Sequence, residues 1–174
     1  WMQKEPWAND LATAECLKYW LRLRHQLFPY LYTMNYRTHT ECKPLVMPMY
    51  YTHPECRYAY DVKNQYWFGD QMFVAPITEK NDEGSRMGHV RAWLPQGLWT
   101  DFFTGRVYTG ERIMILNRPL EQYPVLARAG AIVPMAASHK TVGNPEALDI
   151  YVFPGASGRY TLFEDDGISY DFRN

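Results

Sequence analysis

Residues 88–118 read GHVRAWLPQGLWTDFFTGRVYTGERIMILNR. Within them Val90–Leu94, Leu98–Phe103, Arg106–Tyr108 and Ile113–Asn117 are short runs rich in Val, Ile, Trp, Phe and Tyr, separated by Gly, Pro and other turn residues. Branched and aromatic side chains suit a pleated, half-buried surface, whereas Gly and Pro supply the backbone angles of turns. The same texture extends in both directions: Met72–Thr78 upstream, then Val125–Ala127, Ala131–Pro134, Leu148–Phe153, Arg159–Glu164 and Ile168–Phe172 downstream. Strands about ten residues apart with turn residues between them predict an antiparallel β-sandwich. Asp166-Gly167 between the last two runs predicts a hairpin turn, and residues 79–89, the most polar and Gly-containing stretch, a loop.

The N-terminal third differs. Leu17, Trp20, Leu21, Arg24, Leu27, Phe28, Leu31 and Tyr32 recur at three- and four-residue spacing and line one face of a helix over residues 10–38. Asn9 or Asp10 can cap it, and Pro29 should kink it near Phe28. Lys43–Tyr51 follows as a strand whose prolines, Pro44 and Pro48, leave its ladder incomplete. The fold class expected is mainly β: an antiparallel sandwich preceded by a helix-strand segment, with a boundary near Asn64–Asp70.

A chain of 174 residues with 47% apolar side chains can bury a proper core, and its net charge of −1 argues against nucleic acid as a partner. The longest apolar stretch, Val125–Ala137, is too short for a membrane helix and contains Arg128, so no membrane partner is expected. No targeting leader is visible. Cys16, Cys42 and Cys56 cannot all pair within one chain, which favours a reducing, cytoplasmic compartment. A start at Trp1-Met2 and a strand-like finish at Ser169–Asn174 suggest a piece of something larger. The 16% aromatic share is read as strand and core residues rather than sugar platforms, for Trp67, Trp93 and Trp99 in particular.

His39-x-x-Cys42 and His53-x-x-Cys56 have the spacing of zinc ligands. An extended strand between them would hold the pairs roughly 30 Å apart, so no metal is assigned. Glu164-Asp165-Asp166-Gly167 lacks the alternating ligands of a calcium loop, and neighbouring strand carboxylates point to opposite faces, so a turn is preferred to an acid pair. His25 reads as a packing or capping residue on its helix. No nucleophile elbow, phosphate loop or dinucleotide fingerprint is present, and no cofactor is expected.

A series of motifs gives these pieces a common setting. Lys4-Glu5-Pro6-Trp7, Leu23-Arg24-His25-Gln26-Leu27-Phe28-Pro29-Tyr30-Leu31-Tyr32-Thr33 and Pro44-Leu45-Val46-Met47-Pro48-Met49 come first. Gln65–Asp70, Val74–Ile77, Trp93–Asp101, Pro124–Pro134 and Leu162–Gly167 follow in order. Together they resemble glycoside hydrolase family 31, the α-glucosidase and α-xylosidase family. One departure is Leu-Val-Met-Pro-Met at 45–49, where many members carry an Arg; it leaves the sugar preference open.

The resemblance implies that residues 1–65 end a catalytic (β/α)8 barrel, with its eighth strand near Leu45–Tyr51. Residues 66–140 would form the proximal C-terminal β-sandwich, and 141–174 would start a further β-rich module. The family's two catalytic aspartates stand on earlier strands, so no catalytic residue is assigned here. The chain would be the C-terminal segment of a retaining α-glycosidase, α-glucosidase being the first choice. It would meet oligosaccharides or α-glycosides through the rest of the barrel and be inactive alone. Barrel sites form at the C-terminal ends of strands, which makes Tyr50, Tyr51, Thr52 and His53 the nearest wall candidates. The barrel-facing helix stripe, if bare, would favour self-association. The competing readings are a non-catalytic β-sandwich that binds carbohydrate and a metal-stabilised interaction domain on His39, Cys42, His53 and Cys56.

Overall fold

Asp10 sets the start of the first helix: its carboxylate accepts the Thr13 N–H at 3.0 Å and the Thr13 hydroxyl at 2.7 Å. In the computed structural model, which describes residues 5–173, helix α1 (Leu11–Gln26) leads at once into α2 (Phe28–Glu41). Leu27 marks the break, and Pro29 occupies the first turn of α2, where its absent N–H has no intrahelical partner to lose. The readings that fell on Trp1, Met2, Lys4 and Asn174 lie outside the described residues.

Strand β1 is Val46–Pro48 alone; Met49–Tyr51 closes into a 3-10 turn, so the single strand expected over Lys43–Tyr51 is much shorter. Pro44 and Pro48 carry no N–H for a ladder, which limits it from both sides. After α3 (Tyr58–Asp61) come β2 (Tyr66–Phe68), β3 (Met72–Val74), β4 (Gly88–Leu94), β5 (Leu98–Asp101) and β6 (Val107–Thr109). Then follow β7 (Arg112–Arg118), β8 (Val125–Arg128), β9 (Ile132–Ala136) and β10 (Leu148–Val152). A six-stranded sheet runs in the order β1-β2-β3-β8-β5-β6, beside two ribbons, β4-β7 and β9-β10. Every pairing is antiparallel, including β1 with β2.

The two-residue period of a strand divides the sheet's side chains between two cores. Trp67, Phe73, Trp99 and Leu126 join Val90, Ala92 and Leu94 of β4 and Leu116 of β7 in the first, together with Met49, Ala59 and Val62. Met72, Val74, Val125 and Ala127 meet Tyr30 and Met34 of α2, Val133 and Met135 of β9, and Phe153 in the second. The tryptophans at 67, 93 and 99 are buried, as read from the sequence.

Three buried polar contacts tie these layers. The Gln65 amide donates to the Trp93 carbonyl at 2.9 Å and accepts the Trp93 N–H at 2.7 Å, acting as a strand residue would between the sheet and β4. Asp101 at the end of β5 pairs with Arg118 at the end of β7, and its other oxygen accepts the Phe103 and Thr104 N–H groups. Tyr30 donates to the Phe68 carbonyl at 2.6 Å. Its hydroxyl lies where a side chain on Gly69 would stand: an added Cβ would meet the oxygen at 2.1 Å, and φ there is +67°. Only glycine satisfies both demands.

Two expectations fail. Arg159–Glu164 and Ile168–Phe172 form no strands, and residues 171–173 make a 3-10 turn. Asp166-Gly167 therefore joins no hairpin. Instead Asp165 accepts the Gly167 N–H at 2.9 Å, and Asp166 accepts those of Ile168 and Ser169 at 3.0 and 2.8 Å. The helix stripe is only partly bare. Leu23, Leu27 and Leu31 pack against the second core, and Trp20 stacks on Tyr123 at 4.6 Å, while Leu21 and Phe28 stay exposed. An open apolar groove of about 370 Å³ remains between the helices and the sheet.

Candidate functional site

Of the four wall candidates at the 3-10 turn after β1, Tyr51, Thr52 and His53 line one cleft and Tyr50 does not. The cleft has a volume of about 720 Å³, and its walls also include Lys43, Met47, Trp67, Asp70, Gly97 and Arg128. Tyr50 does not line it: its ring lies flat against Tyr60 at 5.0 Å. Tyr51 is 61% exposed at the cleft, its ring tilted against Tyr50 at 5.4 Å.

His53 is held on several sides. Its ring runs nearly parallel to Trp67 at 6.2 Å and meets the edge of Trp93 at 5.2 Å. Its Nδ1 lies 2.8 Å from the Thr52 hydroxyl, which in turn receives the Trp67 indole N–H at 2.7 Å. Across the cleft Arg37 engages Asp70, whose second oxygen accepts the Gln71 amide at 2.7 Å. Burial works against the Arg37 charge, but Asp70 and Glu41 outweigh it and raise the guanidinium's pKa. Hydrogen bonds from Lys43 and Arg37 hold the Glu41 carboxyl below the usual range.

Sequence reasoning missed Trp67, Asp70, Gly97 and Arg128 as cleft residues. Trp67 is in the middle of β2, Arg128 ends β8, and Asp70 and Gly97 lie between strands, so only the folded sheet gathers them. The zinc-like pairs do not converge: Cys56 packs against the first core, while Cys42 and His53 reach the cleft. All three cysteines are free, and among the described residues no three His, Cys, Asp or Glu side chains gather as a metal ion requires. No helix among those residues is long and apolar enough to cross a membrane.

Three of the acidic side chains have structural partners. Asp61 pairs with Arg57 at 3.0 Å, Asp101 is buried against Arg118, and Asp165 accepts the Tyr32 hydroxyl at 2.8 Å. The cleft itself offers hydrogen-bonding groups and aromatic side chains.

Comparison with known proteins gives this arrangement a family. Over 97% of its length the chain is 30% identical to an α-xylosidase of Saccharolobus solfataricus, of which it covers 23%. It is 27% identical over 98% of its length to α-glucosidase 2 of Bacillus thermoamyloliquefaciens, covering 21% of that protein. A glucose complex of a family 31 dextranase from Flavobacterium johnsoniae matches 98% of this chain with a TM-score of 0.85 at 26% identity, over 21% of the dextranase chain. The chain thus spans less than a quarter of these relatives. Residues 42–133 match the glycosyl hydrolase family 31 C-terminal domain, and the chain belongs to that family as a C-terminal segment.

Proposed function

We propose that this chain is the C-terminal segment of a retaining α-glycosidase that removes terminal α-linked glucosyl or xylosyl residues, glucosyl being the first choice. The observation that carries the reading is the family match over residues 42–133, extended by likeness to an α-xylosidase and an α-glucosidase along nearly the whole chain. In this reading residues 1–65 end the catalytic barrel, 66–140 form the proximal sandwich and 141–174 begin a further β-rich module. Tyr51 and His53, with Tyr50 behind them, belong to the substrate-facing wall.

Retention requires two carboxyl groups about 5–5.5 Å apart, one a nucleophile and one an acid/base. In this reading both stand on earlier barrel strands, and Asp61, Asp101 and Asp165 serve ion pairs and a turn. The segment's part is to buttress the barrel and shape the cleft. Proton NMR of the first sugar released by the whole protein tests the reading. The α-anomer of glucose or xylose is expected first; initial β-anomer, or no hydrolysis of either α-glycoside, would overturn it.

A further inference from the structure

We propose that Trp67 and Thr52 hold His53 in its Nδ1–H form, which makes Nε2 a hydrogen-bond acceptor for a saccharide hydroxyl at the cleft. The saccharide half rests on the glycosidase reading; the tautomer half stands on geometry alone. An indole N–H can only donate, so Trp67 fills one lone pair of the Thr52 oxygen at 2.7 Å. That oxygen has one hydrogen and one lone pair left, and two further neighbours. The Met49 carbonyl at 3.1 Å can only accept, whereas His53 Nδ1 at 2.8 Å can do either.

If the hydroxyl donates to Met49, the Nδ1–H fills the remaining lone pair and all three contacts are hydrogen bonds. If it donates to Nδ1, two oxygens face each other at 3.1 Å with no hydrogen between them. The first arrangement keeps the hydroxyl as a third donor on the Met49 carbonyl, beside the Thr52 and His53 N–H groups at 3.3 and 3.2 Å, and so makes one more hydrogen bond than the second. It leaves the lone pair on Nε2, which meets no protein partner among the described residues and is not sealed from solvent. The Trp67 and Trp93 rings fix the plane in which that lone pair points. A neutral acceptor needs a neutral donor such as a sugar hydroxyl. Arg128 and the exposed Tyr51 ring, both on the same cleft, suit the oxygens and the apolar face of a pyranose.

Long-range proton–nitrogen NMR of the chain labelled in histidine tests both halves, in alkaline buffer where imidazole is neutral. The His53 signals, assigned by their loss in His53→Phe, should show a protonated Nδ1 and a bare Nε2. The reverse pattern overturns the proposal. Thr52→Ser should keep the pattern, and Thr52→Val should shift it toward Nε2–H; an unchanged Thr52→Val overturns the relay. Added maltose should move Nε2 and leave Nδ1 in place, and His53→Phe should weaken maltose binding about tenfold. If maltose moves neither nitrogen while the whole protein still cleaves α-glucosides, the saccharide assignment falls and the glycosidase reading survives.

Discussion

In the core between the sheet and β4-β7, Phe73 and Trp99 meet edge on at 4.9 Å, and the strands that carry them are fixed by ladders on both sides. Residues 159–172 also carry rings, but the segment itself forms no strand. Phe163 is flat against Tyr36 at 3.6 Å, Tyr160 stacks on Tyr30 at 6.1 Å, and the Phe163 N–H reaches the Thr33 hydroxyl at 3.1 Å. One region is held by backbone and side chains together, the other chiefly by side chains docked on α2. Backbone ladders couple neighbours into one cooperative unit, whereas docked side chains can release locally. The two regions should therefore respond differently to the same kind of damage.

The largest effect is expected from Phe73→Ala. Phe73 is fully buried, and its removal should cost about 3–5 kcal/mol in urea unfolding, with the loss spread over every probe. A loss confined to one probe would deny that this core is cooperative. Gln65→Leu comes next: it strands both the N–H and the carbonyl of Trp93 in the core and should cost about 2–3 kcal/mol. An unchanged midpoint would show that the contact between the sheet and β4 does not depend on this amide.

Phe163→Ala should be milder, about 1 kcal/mol. It should appear in hydrogen exchange as faster amides over 159–169 with the sandwich unaffected; a uniform change across the chain would erase the contrast between the regions. The smallest effect concerns Asp166. Backbone hydrogen bonds from Ile168 and Ser169 depress its carboxyl pKa. The sign follows from linkage: a depressed folded value contributes stability above the ordinary carboxylate range, lost as pH falls through the lower folded value. An NMR titration should show the Ile168 and Ser169 amides shifting together in acid, below the usual aspartate midpoint. A shift at or above that midpoint would contradict the turn.

The same contrast explains which parts of the fold were legible in the sequence. Runs such as Ile113–Asn117 show their strands because a partner of matching length lies nearby, and β4 pairs with β7 over seven residues from Gly88↔Arg118 to Leu94↔Arg112. Arg159–Glu164 has a similar branched and aromatic texture, but texture shows only that side chains suit a pleated surface; a strand also needs a neighbour with free N–H and carbonyl groups. Asp166-Gly167 misled for a related reason, since the acids that mark a hairpin also cap a turn by themselves. Pro29 was readable because its effect is local. At the cleft, Tyr51 and His53 could be picked out as residues following a strand. The alignment of His53 by Trp67, which is 15 residues from Thr52, could not, because nothing in local patterning reports a contact across a sheet edge.

The central claim is that this chain supports a glycosidase site without containing its chemistry. It is tested most directly by assaying the 174-residue chain and the whole protein side by side on an aryl α-glucoside and an aryl α-xyloside. The account predicts turnover by the whole protein and none above the buffer rate by the chain alone. Hydrolysis by the isolated chain would contradict it and would place a reactive pair among Asp61, Asp70, Asp101 and Glu164–Asp166.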